Sequence, residues 1–267
     1  MVGIDGSTGS DVAFRTAVDL ARLCEGVVYG VAVVPEVGSD STGPSLAVQR
    51  DPEATAEVKE FGTSWFTEAL DACEGSCATA QVEFARNLLS GDPGRVLVEQ
   101  AEGCDMVVVG AHGRDNDPHT LLGHTARRVL RSCIKPVLVT RGPYKPVERA
   151  LVGYDGTADS GHAVEWVADF AAPGGWQVWL ITGTYPQSEL ADGARRAAGI
   201  IMSRGVKPEV GIHLGGAPDI LFEQAEKYDV DLIAIGSAPK GPVTGFFIGE
   251  AWPDIVEQAR TCVLCWR

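Results

Sequence analysis

The sequence lacks long apolar runs. No stretch of apolar residues comes near the roughly 20 that a membrane-spanning helix needs. The chain also does not open with a basic segment followed by an apolar stretch, which is the pattern of an export signal. We therefore expect neither a membrane protein nor an exported one, and the cytoplasm is the expected compartment.

Positive charge is also scarce. Lysine and arginine number 22 against 36 aspartates and glutamates, which gives a formal net charge of −14. Proteins that bind nucleic acid present basic surface to the phosphate backbone, so a nucleic-acid partner is not expected. A small anionic ligand stays open, because backbone N–H groups can hold phosphate inside an acidic protein.

The sequence has no convincing metal or redox motif. Its seven cysteines are an odd number, and Cys262 and Cys265 have C-x-x-C spacing within a short apolar run that predicts a strand. Side chains three apart on a strand point to opposite faces, so we interpret the pair as structural. His112 and His119 have no third ligand at a usable spacing, and no metal site is predicted.

What the sequence does contain is an internal repeat. The segment VGIDGS at 2–7 returns as VGYDGT at 152–157, GDP at 91–93 returns as GAP at 216–218, and DMVVVG at 105–110 returns as DLIAIG at 231–236. The first copy carries about 24 extra residues, most of them between Val34 and Glu60. We predict two domains, 1–142 and 149–267, joined by a linker at 142–146.

Within each copy, predicted strands alternate with predicted helices. The first copy is expected to have strands near 2–4, 26–34, 80–89, 106–109 and 136–140, and helices at 10–23 (capped by Ser10), 54–72, from 93, and 123–132. The second copy is expected to have strands near 150–154, 176–182, 207–214, 231–235 and 262–266. This alternation predicts an α/β fold of two tandem Rossmann-like domains, each a five-stranded, mostly parallel sheet flanked by helices.

One loop carries the chemistry of the first copy. Gly110 and Gly113 follow a strand, and Gly123 opens a helix nine residues later, with His124 and Thr125 as its first helical residues. Gly110 would permit a sharp exit from the strand, and Gly113 a close approach of backbone to a ligand. Free N–H groups at a helix start favour an anion, so the spacing predicts a site for a di- or triphosphate. No Walker loop is present, and the alternative is that the glycines merely turn the chain.

The order of VGIDGS, GDP, VVVGAHG, a glycine nine residues on, and KPVLV at 135–139 resembles the universal stress protein family over both copies. The resemblance implies the fold of the adenine nucleotide alpha hydrolase group and, as in many members, ATP binding. It implies that Asp5 contacts the adenine, that the backbone near Val33 lines the base pocket, and that Gly110, Gly113 and Gly123 hold the ribose and phosphates. The implied ligand is ATP or another adenine nucleotide, with or without Mg²⁺, in a stress-response or signalling role.

Both copies depart from the family pattern. In the first copy His124 stands where the family has Ser or Thr, and Ala126 replaces a second common hydroxyl; Arg127 and Arg128 could add positive charge in the same turn. In the second copy Pro239 replaces a glycine and Glu250 places a carboxylate at the phosphate-binding helix start. We therefore expect ATP in the first copy only.

The resemblance also implies an assembly. Single-domain members dimerise through their last strand, so Val137–Thr140 and Cys262–Trp266 are expected to pair antiparallel as an intramolecular pseudo-dimer, and a further homodimer is left open.

No attacking-water base or arginine finger is evident, so at most slow ATP hydrolysis is expected. The alternatives are a scaffold or partner-binding stress protein without nucleotide, and, last, an enzyme of the wider hydrolase group.

Overall fold

The chain forms two compact units, Met1–Tyr144 and Lys145–Arg267, in a computed structural model. The structure describes residues 1–35, 52–114, 121–184, 188–237 and 248–266, and for 52–61 and 248–250 the backbone alone. Each unit has a parallel sheet with flanking helices, which is the fold class that the alternation of elements predicts.

The first unit is a doubly wound sheet. Its strands are β1 (Val2–Ile4), β2 (Val27–Val34), β3 (Glu83–Ser90), β4 (Val107–Gly110) and β5 (Val137–Thr140). Its helices are α1 (Thr8–Leu23), α2 (Pro52–Ala80), α3 (Pro93–Gln100) and α4 (His124–Ser132), and a 3₁₀ turn spans Ala101–Gly103. The strand order is β3-β2-β1-β4-β5, all parallel. The chain leaves β1 and β4 toward opposite sides, and a doubly wound sheet opens a crevice at such a point, beyond the carboxyl ends of the strands.

Two helix boundaries differ from the sequence expectation. Helix α1 begins at Thr8 and its N-cap is Ser7, not Ser10: the Ser7 hydroxyl accepts the Ser10 N–H at 3.1 Å. Ser10 is buried and donates its own hydroxyl to the Ser7 carbonyl at 3.0 Å, inside the first turn. Gly6, at φ +73°, turns the chain early enough for the N-cap to lie three residues before the predicted one.

Helix α2 is longer than predicted and ends at Ala80. Its buried face continues beyond residue 72 at helical spacing, through Phe66, Leu70, Cys73 and Cys77. Burial of the two thiols keeps this stretch helical, so β3 begins at Glu83 and not near 80.

The second unit repeats the architecture. Its strands are β6 (Arg149–Gly153), β7 (Gln177–Gly183), β8 (Glu209–His213), β9 (Leu232–Gly236) and β10 (Cys262–Trp266), and its helices are α5 (Ala158–Gly174), α6 (Glu189–Ser203), α7 (Ala217–Tyr228) and α8 (Ile248–Gln258). The order β8-β7-β6-β9-β10 is again fully parallel. Trp166 and Trp179 are buried in its core.

A buried carboxylate fixes the start of the second unit. Asp231 accepts the backbone N–H groups of Glu148 and Arg149 at 3.0 and 2.9 Å. The Lys145 ammonium lies 2.5 Å from its other oxygen, and only 4% of the Asp231 side chain is exposed. The segment that leads into β6 is therefore held to the second unit by one side chain.

Candidate functional site

A cavity of about 630 Å³ opens at the carboxyl ends of β1, β2 and β4 in the first unit. The first turns of α1, α3 and α4, one residue of α2 and the loop after β4 complete its walls. The residues that the sequence predicted as a binding set all line it: Asp5, Val33, Gly110, Gly113, Gly123, His124 and Thr125. These positions, far apart in the chain, are thus brought to one place.

Asp5 holds the two loops at the mouth of this cavity together. Its Oδ1 accepts the Ser7 N–H at 2.9 Å, and its Oδ2 accepts the Arg114 N–H at 3.3 Å. The Asp5 carbonyl accepts the indole N–H of Trp65 at 3.2 Å. An ionised carboxylate offers about four lone-pair positions, so Asp5 can accept a further hydrogen bond from a ligand.

The three loop glycines are needed for space and not for backbone conformation. A Cβ on Gly110 would lie 2.7 Å from the Gly9 carbonyl group, and one on Gly113 would lie 2.6 Å from Asp5 Oδ2. A Cβ on Gly123 would lie 3.2 Å from the carbonyl oxygen of Ala111. None of the three has a positive φ, and Gly110 permits a close approach of β4 to α1; the sharp strand exit at Gly110 stays a prediction.

The start of α4 presents unsatisfied donors to the cavity. Gly123 is the N-cap, has no side-chain capping bond, and gives its own N–H to Ala111 at 2.7 Å. The next three N–H groups, on residues 124–126, have no acceptor within the helix because they belong to its first turn. All three residues line the cavity, and the helix dipole adds partial positive charge there. Backbone geometry therefore favours an anion at this end.

The charges around the cavity agree with that preference. Asp5 is the single carboxylate among its described lining residues, whereas Arg114, His112 and His124 can carry positive charge. The chain as a whole has a net charge of −14, so the cavity lining is less acidic than the chain average. An anionic ligand is thus less repelled here than over most of the surface.

Asp92, at the N-cap of α3 and next to the cavity, has its negative charge balanced by nearby donors. It accepts the Arg95 N–H at 2.7 Å and lies 2.6 Å from the Arg128 guanidinium. Partial burial by itself would raise the pKa of Asp92, but these two donors and the nearby His124 lower it. Arg128 is therefore engaged by Asp92, and Arg127 donates to the Leu122 carbonyl at 3.5 Å. Neither arginine lines the cavity, so the two do not add the expected positive charge to its wall.

Trp65, Phe66 and Arg114 lie together beside the cavity and were not among the predicted site residues. Phe66 and Arg114 line the cavity, and the Arg114 guanidinium carbon lies 4.9 Å from the Trp65 ring centroid and 5.9 Å from that of Phe66. Arg114 directly follows Gly113, which was a usable signal. Trp65 and Phe66 carry no such signal in the sequence, because the local sequence does not determine where a helix face lies relative to a distant loop.

The second unit differs at the corresponding place. Asp155, the counterpart of Asp5, is only 1% exposed, and its Oδ1 accepts the Thr157 N–H at 3.0 Å and the Thr157 hydroxyl at 2.6 Å. Asp159 stands in the first turn of α5 at the repeat position of Gly9. The predicted obstacles at Pro239 and at the Glu250 side chain lie outside the described residues.

The described residues also bear on metal sites and on membrane-spanning helices. Among the described residues, no three His, Cys, Asp or Glu side chains are grouped so that they could hold a metal, while His119 lies outside them. Over the same residues, no helix combines the length and the apolar character that crossing a membrane requires.

Known proteins resemble this chain over its whole length. The model of the universal stress protein family matches residues 1–141 and 146–267. A universal stress protein of Mycolicibacterium smegmatis is 26% identical over 100% of this chain and 96% of its own length. Universal stress protein Rv2623 of Mycobacterium tuberculosis is 24% identical over 100% and 95%. The crystal structure of a universal stress protein from Archaeoglobus fulgidus shares the fold with a TM-score of 0.77 at 17% identity, covering 100% of this chain and 97% of that one.

Proposed function

This chain belongs to the universal stress protein family, and we propose that its first unit binds ATP or another adenine nucleotide in a stress-response or signalling role. The observation that carries the proposal is the convergence of all seven predicted binding residues on one cavity. The proposal includes a cytoplasmic location, because no cysteine in the described chain forms a disulfide, which suits a reducing compartment.

The cavity suits the two chemical ends of a nucleotide. Its volume of about 630 Å³ lies within the usual range for small-molecule sites. Val31, Val33 and Phe66 give an apolar wall for a base, and Asp5 can accept from an exocyclic amino group. The free N–H groups of the first turn of α4 are suited to phosphate oxygens. If Mg²⁺ accompanies the nucleotide, the phosphates would have to supply most of its ligands, because Asp5 is the one carboxylate among the described lining residues.

We propose that the second unit does not bind this ligand. The Asp155 carboxylate is buried, and Asp159 places negative charge in the helix turn that faces the strand end. A carboxylate beside the strand end repels a phosphate brought to this edge of the sheet. The antiparallel pairing of the two terminal strands stays a prediction from the family resemblance.

The test is to denature freshly purified protein and measure released nucleotides by ion-pair chromatography, followed by calorimetric titration of stripped protein with ATP, ADP and AMP. We expect close to one adenine nucleotide per chain. Two per chain would contradict the assignment of a single site. No nucleotide in either experiment would favour the alternative function, a scaffold or partner-binding stress protein without nucleotide.

A substitution locates the site. In Gly123→Val the larger side chain meets the loop at Ala111, so the affinity should fall at least tenfold. Gly75→Ala is the matched control, since nothing lies within 4 Å of a Cβ there. Equal affinity of both variants would show that the ligand binds elsewhere.

A further inference from the structure

Arg114 is held beside the cavity by aromatic packing. Its backbone N–H donates to Asp5 Oδ2 at 3.3 Å, and its guanidinium carbon lies 4.9 Å from the Trp65 ring centroid. Trp65 in turn donates its indole N–H to the Asp5 carbonyl at 3.2 Å. The three residues form a closed set of contacts, so the position of the guanidinium is fixed from both its main chain and its side chain.

The guanidinium of Arg114 has no anionic partner among the described residues. Arg128, by contrast, is paired with Asp92 at 2.6 Å. Arg114 and Phe66 both line the cavity, and the Arg114 guanidinium carbon lies 5.9 Å from the Phe66 ring as well as 4.9 Å from that of Trp65. The cation is thus packed against two aromatic side chains of α2 at the cavity wall, with no described anion to pair with it.

We propose that Arg114 is a specificity-determining residue that stacks on the nucleobase, with the guanidinium sandwiched between the base and Trp65. The inference rests on the proposed nucleotide site and adds the orientation of the ligand within it. A guanidinium is planar and delocalised, and it stacks on nucleobases as an aromatic ring does. Lysine, a compact point charge, cannot replace it in that role.

A phosphate is the less suitable partner for Arg114. The Asp5 carboxylate lies directly at the Arg114 N–H and would repel a phosphate brought to this side. The same carboxylate can accept from the amino group of a base that is stacked on Arg114. The phosphates then extend toward α4, where N–H donors without a side-chain cap are present.

The experiment compares adenosine with AMP on stripped full-length protein, by calorimetry and by NMR of the indole N–H signals. Arg114→Ala and Arg114→Lys should each weaken both ligands by the same factor, about tenfold, because a stacked base is common to the two. Arg22→Ala, an exposed arginine in the last turn of α1, is the control and should bind normally. Circular dichroism of each variant confirms that it is folded.

A second measurement uses the unsubstituted protein and does not depend on variants. Adenosine should shift the indole N–H signal of Trp65, which is identified by its loss in Trp65→Phe. Loss of affinity for AMP alone in Arg114→Ala, normal binding by Arg114→Lys, or an unmoved Trp65 signal on saturation with adenosine would each overturn the stacking role. Failure of unsubstituted protein to bind either compound would instead refute the proposed nucleotide site itself.

Discussion

Replacing Gly113 by alanine adds one methyl group against a single, identified atom. The new Cβ would lie 2.6 Å from Asp5 Oδ2, whereas ordinary contact begins at 3.4 Å, so the two atoms must part by roughly 0.8 Å. Gly113 does not have a positive φ, so no backbone strain accompanies the change. The whole effect should therefore come from the displaced carboxylate.

The cost follows from the bonds that Asp5 makes. The hydrogen bond from the Arg114 N–H is already 3.3 Å long and would be broken by such a shift, while the 2.9 Å bond from Ser7 can persist. Loss of one hydrogen bond to a charged group costs about 1.5–3 kcal/mol, and less at a partly exposed site. We expect Gly113→Ala to lower the free energy of unfolding of the first unit by about 1–2 kcal/mol.

Amide hydrogen exchange in β1 and β4 is the suitable assay, because it reports the stability of the first unit separately from the second. Among the described residues Asp5 alone lies within 4 Å of this methyl group, so in an Asp5→Ala background its cost should fall below about 0.5 kcal/mol. Gly75→Ala, in the open interior of α2, should instead stabilise by about 0.5–1 kcal/mol. An equal cost of Gly113→Ala with and without Asp5 would refute the reasoning.

Three further predictions concern stability and reactivity. Burial, and then the hydrogen bond to Asp19, raise the pKa of Tyr144 to about 12. The contribution of Tyr144 to the free energy of unfolding is therefore complete below pH 10 and lost toward pH 12, so this free energy should fall less steeply between pH 10 and 12 in Tyr144→Phe. Equal slopes in chemical denaturation of the two proteins would contradict the prediction. Asp231→Ala leaves two backbone N–H groups without their acceptor and should cost the second unit about 2–3 kcal/mol by hydrogen exchange, whereas a loss below about 0.5 kcal/mol would refute its anchoring role. Burial raises the pKa of Cys73 to about 12, so iodoacetamide at pH 8 should modify exposed Cys24 first by mass spectrometry, and the reverse order would be contrary to the structure.

The sequence predicted the parts of the site that depend on neighbouring residues. Asp5 and Gly110 each end or follow a strand, and parallel strands bring their carboxyl ends to one edge, so their meeting could be expected. The reason for the glycines was not predictable: it is the closeness of Gly110 to Gly9, a contact between elements more than 100 residues apart. Helix α1 was misplaced because Ser7 and Ser10 are both good N-caps, and the choice between them depends on the turn at Gly6.

The aromatic side of the site depends on tertiary packing alone. Trp65 and Phe66 are adjacent in α2, yet Phe66 is 4% exposed and lines the cavity while Trp65 is 39% exposed and covers Arg114. Which of the two faces the cavity depends on the rotation of α2 against β2 and β3. The buried positions Leu70 and Cys77 set that rotation, and no local pattern relates it to the loop after β4.

Among the described residues, the two copies differ at a repeat position beside the strand end, Gly9 in the first and Asp159 in the second. In the first unit a Cβ on Gly9 would collide with the His112 carbonyl oxygen, so the loop after β4 can lie on α1 only because that residue is glycine. In the second unit Asp159 occupies the position, and the end of β9 lies against it: a Cβ on Gly236 would lie 2.6 Å from the Asp159 carbonyl carbon. The aspartate also stabilises the first turn of α5 through the helix dipole while it repels phosphate. The glycine-to-acid difference thus adds negative charge beside the end of β9 and stabilises the start of α5.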